Sequence, residues 1–258
     1  MESLKVKTIN DFVNAGEKPE ILFWVGSAGS FDERAKKITR AFVKILNKAN
    51  INFAVLGEQE SSSGDAAKRA GNEFLFQMQA LMNIEILNSY DITNIVTTCP
   101  HSYNTLKNEY SDLGGNYKVT HHTEFISDLI KHGKLNLTTD FNYKKITYHD
   151  PCYLGRGNDI YESPRDLIAN LNIDFVEMPR NKRKSFCCGA GGAQMFKEAE
   201  NGKFEINIIR TEEALKTGAD VIATGCPFCN TMMTDGVKNI SEGKAQVKDI
   251  AELIAECI

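Results

Sequence analysis

Apolar residues along this chain fall into two rhythms. Short unbroken runs, as in "EILFWVGSAGS", "INFAVLGEQESSSGD" and "NIVTTCPHSYNTL", each pass into a turn or loop of small and polar residues. Between them lie stretches such as "RAKKITRAFVKILNKA", with apolar residues three or four apart. The first rhythm predicts buried strands of a parallel sheet, and the second predicts amphipathic helices. The pattern then returns in the same order as "KITYHDPCYLGR", "IDFVEMPRNKRKSFCCGAGG" and "VIATGCPFCNTM", with "ESPRDLIANL" at helical spacing between them. This alternation predicts an α/β fold class: two pseudo-repeated α/β units with parallel sheets, over residues 1–135 and 136–258. The aperiodic stretch 132–142 is the expected linker. In parallel α/β sheets, sites lie beyond the carboxyl ends of the strands, which is where these turns fall.

Composition narrows the setting. The chain has 258 residues, 42% hydrophobic and 25% charged, ordinary values for a globular protein. Its formal charge of −4 gives no electrostatic case for nucleic-acid binding. No apolar run approaches the roughly 20 residues of a membrane helix, and the start "MESLKVKTINDFVNAGEKPE" has no apolar h-region. A cytoplasmic protein is expected, without direct membrane insertion. In that reducing compartment seven cysteines read as metal ligands or redox groups before they read as disulfides.

Five of the seven follow one ruler. Cys152 precedes Cys187 by 35 positions, Cys188 precedes Cys226 by 38, and Cys229 completes C-P-F-C. Three neighbouring strand-end turns therefore carry a single thiol, a vicinal pair and a CxxC pair. Soft thiolates select iron–sulfur clusters, zinc or copper(I). Five sulfurs are one more than tetrahedral zinc takes and one more than the usual four-cysteine cluster needs, which favours a polynuclear cluster. Gly189, Gly191 and Gly192 let the backbone approach and aim N–H groups at sulfur. On the same ruler the first half carries Ser27, Ser62, Ser63, Cys99 and Ser102. Serine hydroxyls are poor ligands beside sulfide, so this degenerate site is expected to be empty.

The pattern Cys152…Cys187-Cys188-Gly189…Cys226-Pro227-x-Cys229, preceded by a half-copy, resembles the CCG-domain family. That family includes the B subunit of heterodisulfide reductase and the iron–sulfur subunits of glycerol-3-phosphate, lactate and glycolate oxidation systems. The resemblance runs from about Ile21 to the carboxyl end. "GSFDERAKKITRAFVKIL", "RAGNEFLFQMQ", "CPHSYNTLKNEY" and "HDPCYLGR" resemble its bacterial iron–sulfur oxidoreductase branch. It implies one noncubane [4Fe–4S] cluster on Cys152, Cys187, Cys188, Cys226 and Cys229. Members with two full motifs run paired-cluster chemistry such as disulfide reduction. Loss of the first motif argues against that chemistry here.

Other features are weighed the same way. His149, in "YHDPC", either donates to cluster sulfur or a substrate, as a weak catalytic candidate, or only positions its turn. "RNKRK" over 180–184 either offsets cluster charge and docks an acidic partner or is a solvated loop. His121 and His122 with Cys99 offer a weak zinc set, but fit better as structural residues at a strand end. "GSAGS" matches no phosphate-loop pattern, and Cys257 stands outside the spacing as a packing thiol. The expectation is an electron-transfer subunit of an oxidoreductase complex. It exchanges electrons with an iron–sulfur or ferredoxin-like partner subunit that can itself be membrane-associated. The alternatives are a zinc-stabilised scaffold without redox work, and direct catalysis on a disulfide, a quinone or a 2-hydroxy acid system.

Overall fold

The computed structural model describes residues 4–138, 143–198, 201–241 and 243–258. Among the described residues nine strands form two sheets in which every pairing is parallel. The first contains β1 (Lys7–Thr8), β2 (Ile21–Trp24), β3 (Phe53–Val55), β4 (Asn94–Thr97) and β5 (Lys118–His121), in the order β1-β3-β2-β4-β5. The second contains β6 (Lys145–Tyr148), β7 (Asp174–Phe175), β8 (Val221–Thr224) and β9 (Gln246–Asp249), in the order β7-β6-β8-β9. Strand for strand, the second sheet repeats β3-β2-β4-β5 of the first. The two pseudo-repeated parallel α/β units read from the sequence are present, with β1 as an unforeseen edge strand. The central strands Ile-Leu-Phe-Trp and Val-Ile-Ala-Thr are buried at every position, as expected of strands covered by helices on both faces.

Register fixes residue equivalence between the copies. Phe23 pairs with Val96 and Trp24 with Thr97, as Thr147 pairs with Ile222 and Tyr148 with Ala223. Because Cys99 and Cys226 close equivalent turns, Phe23 answers Tyr148, and Trp24 answers His149. The helices that follow β5 and β9 start alike. His121 caps helix His122–Lys131 with Glu124 completing the box, and Asp249 caps helix Ile250–Glu256 with Glu252.

The halves share a core. Phe23, Phe42 and Leu46 of the first half pack in one apolar cluster with Ile146, Leu167, Leu253 and Ile254 of the second. Buried Cys257 belongs to this cluster, as expected of a packing thiol. The linker is irregular after Lys131, yet Leu135 is buried in the same core. Residues 139–142 of that linker lie outside the described residues. His122 crosses between the halves, its Nε2 lying 2.9 Å from Asp249 Oδ1, both fully buried.

Candidate metal centre

Three turns at the carboxyl ends of β6, β7 and β8 carry the five cysteines. Cys152 follows β6 through His149, whose N–H extends the ladder to the Ala223 carbonyl at 2.9 Å. Cys187 and Cys188 lie on a loop fastened back to that strand end. The Asp150 carboxylate accepts from both Arg165 Nη atoms at 2.8 and 3.0 Å and from the Lys182 N–H at 2.8 Å. Arg165 also donates to Glu177 at 2.6 Å, and Ser185 Oγ donates to the Asp150 carbonyl at 3.2 Å. Cys226 precedes Pro227, the first residue of helix Pro227–Ser241, where proline suits a helix start. Gly189 has φ +94°, the left-handed region glycine favours, and its N–H points at Cys187 Sγ at 3.3 Å.

The structure brings all five sequence-predicted thiols together. Each thiol perturbs the ionisation of its neighbour in the order Cys152, Cys187, Cys188, Cys229, Cys226. Cys188, Cys226 and Cys229 are buried, while Cys152 and Cys187 are half-buried. Hydrogen bonds from Cys152 and Cys188 hold Cys187 far below the ordinary thiol value. The same contact with Cys187, followed by burial, pushes Cys152 far above it. Adjacent thiols that oppose each other's ionisation cannot all become thiolates unless positive charge lies among them. Five contiguous soft donors in that state fit an iron–sulfur cluster. Ala190, Phe228, Met195 and Met232 pack in one apolar cluster with Cys188, Cys226 and Cys229.

His149 reaches this cluster as well. One of its ring nitrogens, Cys188 Sγ and Cys229 Sγ lie within 4.8 Å of one another. Burial, and then the charge of Arg210, hold His149 down at about 3, so the ring is neutral. Of "RNKRK", Arg180 pairs with Glu213 at 2.8 Å and Lys182 with Glu162 at 2.7 Å. Arg183 and Lys184 form no ion pair among the described residues.

The first-half positions converge too. Ser27, Ser62, Ser63, Cys99 and Ser102 line one cavity of about 70 Å³, roofed by Ala190, Phe196 and Phe228 of the second half. Its floor holds a network the sequence did not reveal. His101 Nδ1 lies 2.8 Å from Asp65 Oδ2, Arg69 Nε donates to Asp65 Oδ1 at 3.1 Å, and Arg69 also pairs with Glu109. Burial would raise Asp65, but the His101 hydrogen bond and Arg69 keep it below the usual carboxylate value. His101 also packs against Tyr153 and Phe228, with ring centroids 4.4 and 5.2 Å away. It therefore interlocks the two sets of turns. Its place in "CPHS", between two ligand-type positions, was the only sequence signal for it. His121 and His122 are buried strand-end and helix-start residues, as the structural reading held.

A parallel α/β repeat with a thiol-lined set of strand ends defines a class, and comparison with known proteins supplies its name. The chain belongs to the cysteine-rich domain (CCG) family, whose model matches residues 21–107 and again 146–234. It is 45% identical to the probable iron-sulfur-binding oxidoreductase FadF of Bacillus subtilis, over 98% of this chain and 36% of that protein. Against the EtfAB:quinone oxidoreductase of Syntrophomonas wolfei the identity is 41%, over 95% of this chain and 35% of that protein. Against the D subunit of the dihydromethanophenazine:CoB–CoM heterodisulfide reductase of Methanosarcina barkeri it is 32%, over 95% and 61%. The chain thus spans about a third of the length of the bacterial relatives and under two thirds of the archaeal one. These relatives are named as iron-sulfur-binding or oxidoreductase proteins. No helix among the described residues is long and apolar enough to cross a membrane.

Proposed function

We propose that the second half, residues 136–258, holds one [4Fe–4S] cluster of the noncubane type on Cys152, Cys187, Cys188, Cys226 and Cys229. The chain then exchanges electrons with a partner iron–sulfur subunit. The observation that carries this reading is the gathering of five free thiols at three strand ends, with Cys188, Cys226 and Cys229 in one buried cluster. When bound, the cluster supplies a one-electron carrier. The protein supplies an N–H donor at Gly189, a loop held by the Asp150–Arg165–Glu177 network, and an apolar cover around the sulfurs. A single carrier needs both a donor and an acceptor. The relatives' names, with EtfAB and a quinone in one and a heterodisulfide in another, support a complex whose partner is ferredoxin-like. One relative is called a probable membrane-anchored ferredoxin, which supports a cytoplasmic chain held at the membrane through that partner. The first half, residues 1–135, holds no cluster in this reading.

Anaerobic purification and reconstitution followed by iron and sulfide analysis and EPR test it. About four irons and four sulfides per chain are expected, with a brown colour that bleaches on reduction. A colourless protein with stoichiometric zinc, unfolded by chelators, would establish the scaffold reading instead.

A further inference from the structure

We propose that His149 serves the cluster as an N–H donor, and that Arg210 locks it in the one tautomer that can donate and cannot ligate. The inference rests on the reading that the five thiols hold a cluster. His149 is 1% exposed and Arg210 is fully buried. Arg210 Nε donates to His149 Nδ1 at 3.0 Å. A guanidinium has donors only, so Nδ1 must accept and the single proton of the neutral ring sits on Nε2. Neither nitrogen is then left to bind a metal, because one lone pair is engaged and the other nitrogen carries hydrogen. The grouping of His149 with Cys188 and Cys229 has the look of a metal site. With Nδ1 taken by Arg210, His149 is left as a hydrogen-bond donor beside these thiols.

Arg210 is itself immobilised. Nη1 donates to the Arg180 carbonyl at 2.9 Å and pairs with Glu213 at 3.0 Å, and Nη2 lies 3.4 Å from Ser185 Oγ. Those partners belong to, or support, the loop that carries Cys187 and Cys188. Arg210 is therefore a positioning residue that couples the imidazole to the vicinal thiols.

The other half of the molecule is an internal control. Trp24 occupies the position of His149 by sheet register. Asn83 stands sixteen residues before Cys99, as Arg210 stands sixteen before Cys226. Trp24 and Asn83 are fully buried, and Asn83 donates to the Ser62 carbonyl at 2.9 Å. The scaffold thus folds with neither histidine nor arginine at these places. Only the copy that keeps five thiols has both, which ties the pair to the sulfurs and not to the fold.

Hydrogen bonds to cluster or thiolate sulfur favour the reduced state. The test is a redox titration of the reconstituted chain monitored by EPR, with iron and sulfide measured for every variant. His149→Leu removes the donor, and the ratio of reduced to oxidised cluster at fixed poise is expected to fall about tenfold, about 59 mV for a one-electron couple. His149→Gln, whose amide can still donate, is expected to recover most of that loss. Arg210→Met is expected to move the potential while leaving the imidazole in place. Pulsed EPR of the chain carrying ¹⁵N-histidine should show the weak coupling of a hydrogen-bonded nitrogen. The strong coupling of a bound nitrogen, or full cluster content in His149→Leu with an unmoved potential, overturns the inference alone. A parent chain that takes up no iron overturns the cluster reading beneath it.

Discussion

The turn after β4 reads Cys99-Pro100-His101-Ser102, and the turn after β8 reads Cys226-Pro227-Phe228-Cys229; each opens a helix with proline at its first position. The loops facing them match as well. Gly64 and Gly189 stand after the equivalent pairs Ser62-Ser63 and Cys187-Cys188, with φ +86° and +94°. Glu60 and Ser185, each two residues before its pair, tie the loop back to the preceding strand end. Glu60 does so by accepting from the Val25 and Gly26 N–H groups at 3.0 and 2.5 Å, and Ser185 by donating to Asp150. The loop conformation is thus set by glycine, proline and local hydrogen bonds, with or without thiols. Only the filling differs: a polar Asp65–His101–Arg69 network in one copy, and sulfur under an apolar cover in the other.

The sharpest way to break this comparison is to make the second copy like the first. Cys188→Ser gives it the residue found at position 63, and iron after reconstitution is expected to drop to background. Cys99→Ser, which removes the first copy's remaining thiol, should leave iron unchanged; a comparable loss there would mean that the two copies share the metal. Next in size is the crossing between the halves. Asp249→Ala removes a helix cap worth about 1 kcal/mol and leaves buried His122 Nε2 without its partner, at about 1–3 kcal/mol more. Urea denaturation should show a fall of about 3 kcal/mol in unfolding free energy at an unchanged slope. The equivalent His121→Ala removes that copy's cap and a fully buried ring, so it should also destabilise while leaving the His122–Asp249 crossing in place.

These equivalences were readable to different degrees. The repeat and the five thiols stood out because parallel strands buried on both faces give unbroken apolar runs, and the ligand turns fall at fixed distances from them. β1 did not, since Lys7 and Thr8 form a two-residue edge with little apolar signal. Arg210 was hidden in "INIIRTEEAL", where an arginine at helical spacing reads as a solvated residue. Its burial depends on β6, the 180–185 loop and Glu213 meeting in space. Asp65 and His101 were missed for the same reason, being 36 positions apart. The linker read as aperiodic, whereas Leu135 is buried in the shared core and Thr138 Oγ1 donates to the Cys257 carbonyl at 2.8 Å.

A smaller difference between the copies is electrostatic. Burial pushes the Glu60 carboxyl from an ordinary 4.5 up to about 7, against the two backbone N–H donors. Ser185, at the matching place, does not titrate in this range. A folded-state value above the unfolded one means that the folded chain binds the proton more tightly. The stabilisation is therefore complete below about pH 4.5 and is lost as pH rises through 7, by about 3 kcal/mol in all. Denaturation measured from pH 5 to 8 should show this decline, and Glu60→Gln should flatten it. An equal slope in the variant would assign the effect to other groups.

The smallest expected effect asks whether the copies are separable at all. Arg34 of the first half grips Glu252 of the second through two bonds of 2.9 and 2.7 Å and also reaches the Val247 carbonyl at 2.7 Å. Its side chain is 20% exposed and that of Glu252 is 14% exposed. A partly screened pair of this kind contributes about 1 kcal/mol, far less than the apolar cluster in which Phe23 and Phe42 meet Ile146 and Leu253. Arg34→Ala should therefore lower the denaturation midpoint slightly while unfolding remains one transition by fluorescence and by far-ultraviolet circular dichroism. If two transitions emerged, the ion pair and not the shared core would be coupling the copies. The thiol-bearing half could then be studied without its serine-bearing twin.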